Sequence, residues 1–138
     1  AILAQCMHGV RLARQGELEA ANRLLTAARE QAIKQGELVL WEPYLSWTAA
    51  HLALLQGRWP EALAAFKATH DSLGHMKARW YQARVLLDWA EAHLVRGESG
   101  DRERAEELLH GAEAEFEAMG AHGYLQRVRT RLEEIGDV

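Results

Sequence analysis

The chain has 138 residues, 49% hydrophobic and 26% charged, enough to bury a core within one domain. Its net charge of −4 argues against general nucleic-acid affinity, which needs a basic face to neutralise phosphates. A single cysteine, Cys6, excludes an internal disulfide and suits a reducing cytoplasm, and no apolar run approaches the roughly 20 residues of a membrane span.

Alanine, leucine, glutamate and arginine dominate and only two prolines occur, so helix is the expectation throughout. Ala1 already lies inside a helical pattern of Ile2, Leu3, Cys6 and Val10, as in a piece cut from a longer polypeptide. The glycines Gly16, Gly36, Gly57, Gly74, Gly97, Gly120 and Gly136 punctuate the chain. The first helix is predicted from the start to Gln15. The second runs from Glu17 to Gln35, with Glu17 and Glu19 favourable at its positive end and Lys34 near its negative end. Pro43 belongs in a first turn rather than an interior, which starts the third helix near Glu42 and carries it to Gln56. Pro60 opens the fourth on the same logic, to end near Leu73, and the fifth spans His75 to Arg96. Asp101 is the expected N-cap of the sixth, which reaches Met119. The seventh, His122 to Ile135, puts Tyr124, Leu125, Val128, Leu132 and Ile135 on one face.

One spacing recurs three times: Gly16, Ala21, Leu25, Ala28; then Gly57, Ala62, Phe66, Thr69; then Gly100, Ala105, Leu109, Ala112. Small residues at Gly9, Ala50 and Ala90 each precede a helix-ending glycine (Gly16, Gly57, Gly97) by seven positions. The glycine breaks the backbone between two helices, and the small residues let the helices approach, which describes a helical hairpin.

These positions resemble the tetratricopeptide repeat (TPR), with Gly9, Ala50 and Ala90 at the small position of helix A. Ala21, Ala62 and Ala105 match the helix B alanine, and Leu25, Phe66 and Leu109 the aromatic after it. Successive helix B alanines lie 41 and 43 residues apart, against about 34 in the standard repeat, so each helix should be about a turn longer. Such long repeats look like the C-terminal regions of bacterial ATPase-linked regulators, MalT-type activators and cyclase–ATPase–TPR fusions among them. The resemblance implies an all-α, right-handed solenoid of about three hairpins plus a C-terminal capping helix, with residues 1–138 one domain. It implies a cytoplasmic module that binds a protein segment or another part of its parent chain. The alternative is a small-ligand sensor controlling an ATPase or cyclase module.

Chemistry is not advertised. His8, His51, His93, His110 and His122 fall in different helices, and neither H-E-x-x-H nor C-x2-C occurs, so no metal site is expected. Ser46, Ser72 and Ser99 lack a nucleophile elbow, and Gly97 to Gly100 lacks the lysine of a phosphate loop. No catalytic residue and no cofactor is therefore assigned, and neither nucleic acid nor membrane is an expected partner. His93 should sit in a packing position and need a hydrogen-bond partner. Trp89 reads as core, while Trp41 and Trp80 would staple hairpin ends. Tyr44, Trp47 and His51 share a face opposite Leu45, Ala49, Leu52 and Ala53. With Arg84, Asp88 and Glu91 on the next helix A, they are the expected lining of a concave partner-binding groove. The N-terminal edge, Ile2, Leu3, Cys6 and Val10, is expected to be exposed and to pair with a second copy.

Overall fold

The computed structural model describes residues 1–136, and among them there are seven helices and no strand. They are α1 (Ile2–Arg14), α2 (Leu18–Lys34), α3 (Leu38–Leu55), α4 (Trp59–His75), α5 (Arg79–Arg96), α6 (Asp101–Met119) and α7 (His122–Gly136). None is long and apolar enough to cross a membrane among the described residues. The chain divides into two compact units, Ala1–Ser72 and Leu73–Val138.

One helix ending is used repeatedly. At Gly16 the backbone turns left-handed (φ 81°), its N–H donates to the Ala13 carbonyl, and the Glu17 N–H reaches back to the Leu12 carbonyl. This paired closure satisfies carbonyls that the last helical turn would otherwise leave without donors. It recurs after α2, α3, α4 and α6, where Glu37, Arg58, Ala78 and Ala121 donate to Ala32, Ala53, Leu73 and Phe116. Gly36, Gly57 and Gly120 hold the left-handed position in three of these. After α4 it is held by Lys77 (φ 57°). Helix α4 therefore does not stop near Leu73, nor does α5 begin at His75. Gly74 is helical, and its hydrogen serves packing: a Cβ there would lie 2.6 Å from the side-chain amide of Gln82.

Two other boundaries also differ from expectation. Helix α3 begins at Leu38, and Pro43 lies inside it. The bond Pro43 cannot donate would have gone to Val39, which is 90% exposed in the first turn, where water can replace it. Glu37 anchors that early start by accepting the Trp41 indole N–H at 2.9 Å. Asp101 is not the N-cap of α6. Gly100 is, and Asp101 is the first helical residue, with its carboxylate buried.

In the first unit α1, α2 and α3 pack on one another, with Ala13, Ala21 and Leu52 buried among Leu12, Leu18 and Leu25. Helices α1 and α3 approach so closely that a Cβ on Gly9 would stand 2.8 Å from Thr48 Cγ2. The Thr48 hydroxyl bonds the carbonyls of Cys6 and Tyr44, both at 3.0 Å. Burial pushes the Cys6 thiol up to about 11. Ile2, Cys6 and Val10 are buried, which corrects the exposed N-terminal edge expected of them. In the second unit α5 packs on α6 and α6 on α7, around Ala105, Leu109, Ala112, Phe116 and Val128. The alanines Ala21, Ala62 and Ala105 are all fully buried, as their spacing predicts.

Candidate functional site

The groove residues of the first unit are not on a surface. Tyr44 is 7% exposed, Trp47 0% and His51 6%. Helix α3 also buries Leu45, Thr48, Ala50, Leu52 and Ala53, so it is packed on more than one side. The His51 ring meets Phe66 of α4 edge-on at 5.2 Å, and Tyr44 leans on Trp41 at 5.8 Å. The expectation that these three present an open aromatic stripe is thus corrected: the opposite face of α3 is not its only packed face.

On α5, Asp88 is likewise buried, at 4% exposed. Glu91 is half-buried and accepts two hydrogen bonds from Arg131 of α7, from Nε at 2.6 Å and Nη2 at 3.2 Å. These bonds raise the pKa of Arg131, against the opposing effect of burial. Arg84 lies over the ring of Tyr124, also on α7, at 5.7 Å from its centroid. Arg84 meets Tyr124 and Glu91 meets Arg131, both pairs separated by the same 40 residues. Within this unit α7 therefore runs parallel to α5, bridged by long side chains.

Around Tyr124 these helices build a continuous cluster. Its ring stacks on Phe116 of α6 (5.1 Å, 20°), and Trp80 of α5 meets both rings edge-on, at 5.0 Å from Tyr124 and 5.9 Å from Phe116. Arg127, one turn along α7, places its guanidinium 4.9 Å from the Tyr124 centroid. Phe116 is fully buried, whereas Trp80 remains 38% exposed and Arg127 is exposed. Arg79 closes the edge by holding Glu115 through two hydrogen bonds, at 3.1 and 2.8 Å. Trp80 does staple helices, as the sequence suggests, but stays 38% exposed.

At the far end of the same unit lies a cleft of about 320 Å³ lined by Leu94, Glu98, Asp101, Arg102, Arg131 and Ile135 among others. Asp101 accepts from Arg96 Nε (2.9 Å) and Nη2 (2.7 Å), meets His93 Nδ1 at 2.7 Å, and accepts the Glu98 backbone N–H at 2.9 Å. The Arg96 bonds hold its carboxyl well below the usual carboxylate range. His93 thereby has the partner its position calls for. Arg102 donates to the Ile135 carbonyl and ties α6 to the end of α7. Among the described residues no three His, Cys, Asp or Glu side chains are placed to hold a metal ion.

No family model, curated protein or solved structure matches this chain. A candidate surface is thus read from its own residues: Trp80, Arg84, Tyr124 and Arg127. Of these only Arg84 stands out in the sequence. The signals for the others were the four-residue step from Trp80 to Arg84 and the three-residue step from Tyr124 to Arg127.

Proposed function

We propose that the chain is a TPR-like interaction module, a regulatory or scaffolding element of solenoid type that binds a protein segment. The observation that carries the reading is Trp80, 38% exposed on a packed aromatic base and bordered by arginine. Tryptophan, tyrosine and arginine are the residue types that dominate binding hot spots, because each buries a large rigid area and offers a directed polar contact. The repeated helix ending, the buried small residues at repeat positions and the parallel α5 and α7 with their 40-residue offset support the TPR-like part. A cytoplasmic regulator is the setting that the single cysteine and the repeat type suggest.

A small-ligand sensor is the weaker alternative. The cleft near Asp101 has no aromatic wall, and its charged lining is engaged in ion pairs with Arg96 and Glu91. The test is an array of octapeptides probed with the whole chain and with Trp80→Leu, which keeps an apolar side chain. Binding that falls at least about tenfold in Trp80→Leu, with its melting curve little changed, is the expected result. An array with no bound peptide, or binding indifferent to Trp80→Leu, overturns the reading.

A further inference from the structure

Six arginines of the second unit hold carboxylates: Arg79, Arg96, Arg102, Arg104, Arg129 and Arg131. Arg127 differs. Among the described residues it pairs with no carboxylate, and its guanidinium lies on the face of Tyr124. Arg127 is exposed, so guanidinium N–H groups remain open to a carboxylate beside the ring. The Tyr124 ring also stacks on Phe116, which is fully buried.

Arg127 and Trp80 lie 4.9 and 5.0 Å from the same ring centroid, so they are at most about 10 Å apart. An extended peptide advances about 3.3 Å per residue. A carboxylate at Arg127 and an apolar side chain on the exposed part of Trp80 thus fit one segment, two or three residues apart. Arg84 lies over the same ring from the neighbouring helix. The nearby Glu115 already holds Arg79.

From this charge complementarity we infer that the α5–α7 face takes an acidic linear peptide, with a glutamate or aspartate two or three residues from a bulky apolar anchor. The inference rests on the segment-binding reading and specifies its partner. The carboxylate is a side chain, so the partner's own C-terminus is not required.

The experiment uses the whole chain and three acetylated, amidated octapeptide series with leucine or tryptophan anchors, their remaining positions glutamate, glutamine or lysine. Affinities come from fluorescence anisotropy, with the Trp80 indole N–H followed by NMR. The glutamate series is expected to bind at least about tenfold more tightly than the glutamine series and to shift the Trp80 indole signal. Arg127→Gln is expected to remove about that factor while leaving glutamine-series binding unchanged. Arg127 is exposed, so this variant keeps the fold. If the glutamine or lysine series binds as well as the glutamate series, the acidic partner is overturned and segment binding stands. If glutamate peptides bind but Arg127→Gln has no effect, the assignment to this face is overturned. If no series binds, both readings fall, and capture of single-stranded oligothymidylate instead would point to base stacking on Trp80.

Discussion

Replacing Asp101 with asparagine tests how the second unit is held together, because one carboxylate there serves two helix ends. Oδ1 meets Arg96 Nη2 and His93 Nδ1, and Oδ2 meets Arg96 Nε and the Glu98 N–H. Asparagine preserves shape but has one acceptor oxygen, so whichever way it is turned its NH2 faces an Arg96 N–H. At least that contact is lost, together with the charge that strengthens the rest. A hydrogen bond to a charged group contributes about 1.5–3 kcal/mol. Arg96 is 23% exposed and can turn partly to water, which discounts the Arg96 share. The net cost is then about 2–3 kcal/mol. With about 2.1 cal/mol/K of unfolding entropy per residue, that lowers Tm by about 7–10 °C at pH 7, read by circular dichroism. The gap must also depend on pH. The Asp101 carboxyl is held below its ordinary 3.8 in the folded chain, so the unfolded chain takes up the proton first. Its stabilisation is complete above about pH 5 and declines as pH falls below 3.8, so wild type and Asp101→Asn should converge in acid. A Tm change under about 2 °C at pH 7, or a gap of equal size at pH 7 and pH 2.5, refutes this account.

Gly9→Ala should cost about 1–3 kcal/mol, because its Cβ would meet Thr48 Cγ2, and the Thr48 hydroxyl, its one proton shared between two carbonyls, is held from turning away. Adding Thr48→Ser, which deletes that methyl and keeps the hydroxyl, should restore most of the loss in urea denaturation, and no recovery would place the clash elsewhere. The Thr69 hydroxyl is buried without a partner, so Thr69→Val should raise stability by about 1 kcal/mol in the same assay, and a loss would mean the hydroxyl is bonded. Lys77 is the non-glycine residue at positive φ in a helix ending where glycine serves elsewhere. Lys77→Gly should therefore stabilise by about 0.5–1 kcal/mol after the entropy of glycine is deducted, and a lower Tm would contradict the strain.

Small residues were the most legible part of the chain. Ala62 and Ala105 can be recognised because a residue that must be small leaves a fixed spacing to the large ones beside it, and both are fully buried. Gly74 shows the limit of that logic. Glycine permits a left-handed turn, but it also permits close approach inside a helix, and the sequence does not say which is used. Only the position of Gln82 distinguishes them, and the turn passes to Lys77 three residues later. Asp101 was legible as a helix-start residue but not as the anchor of His93 and Arg96, since that role needs the preceding helix to end beside it.

The candidate site was harder to find for a related reason. Periodicity shows that α3 carries an aromatic stripe but not which face is outer: Tyr44, Trp47, Thr48 and His51 are as buried as Leu45 and Leu52, while Val39 and Glu42 are exposed. An aromatic stripe on such a helix is core, whatever its spacing. Helix α5 is also buried on most sides, at Val85, Leu86, Leu87, Asp88 and Trp89, yet Trp80 in its first turn and Arg84 reach beyond them. What completes the site comes from α7, 40 residues further on, where Tyr124 supplies a ring that both Arg84 and Arg127 need. A surface assembled across 40 residues is therefore visible only when the sequence is compared with itself at that offset. At a separation of 40, Arg84 aligns with Tyr124 and Glu91 with Arg131, the two contacts that hold the face together.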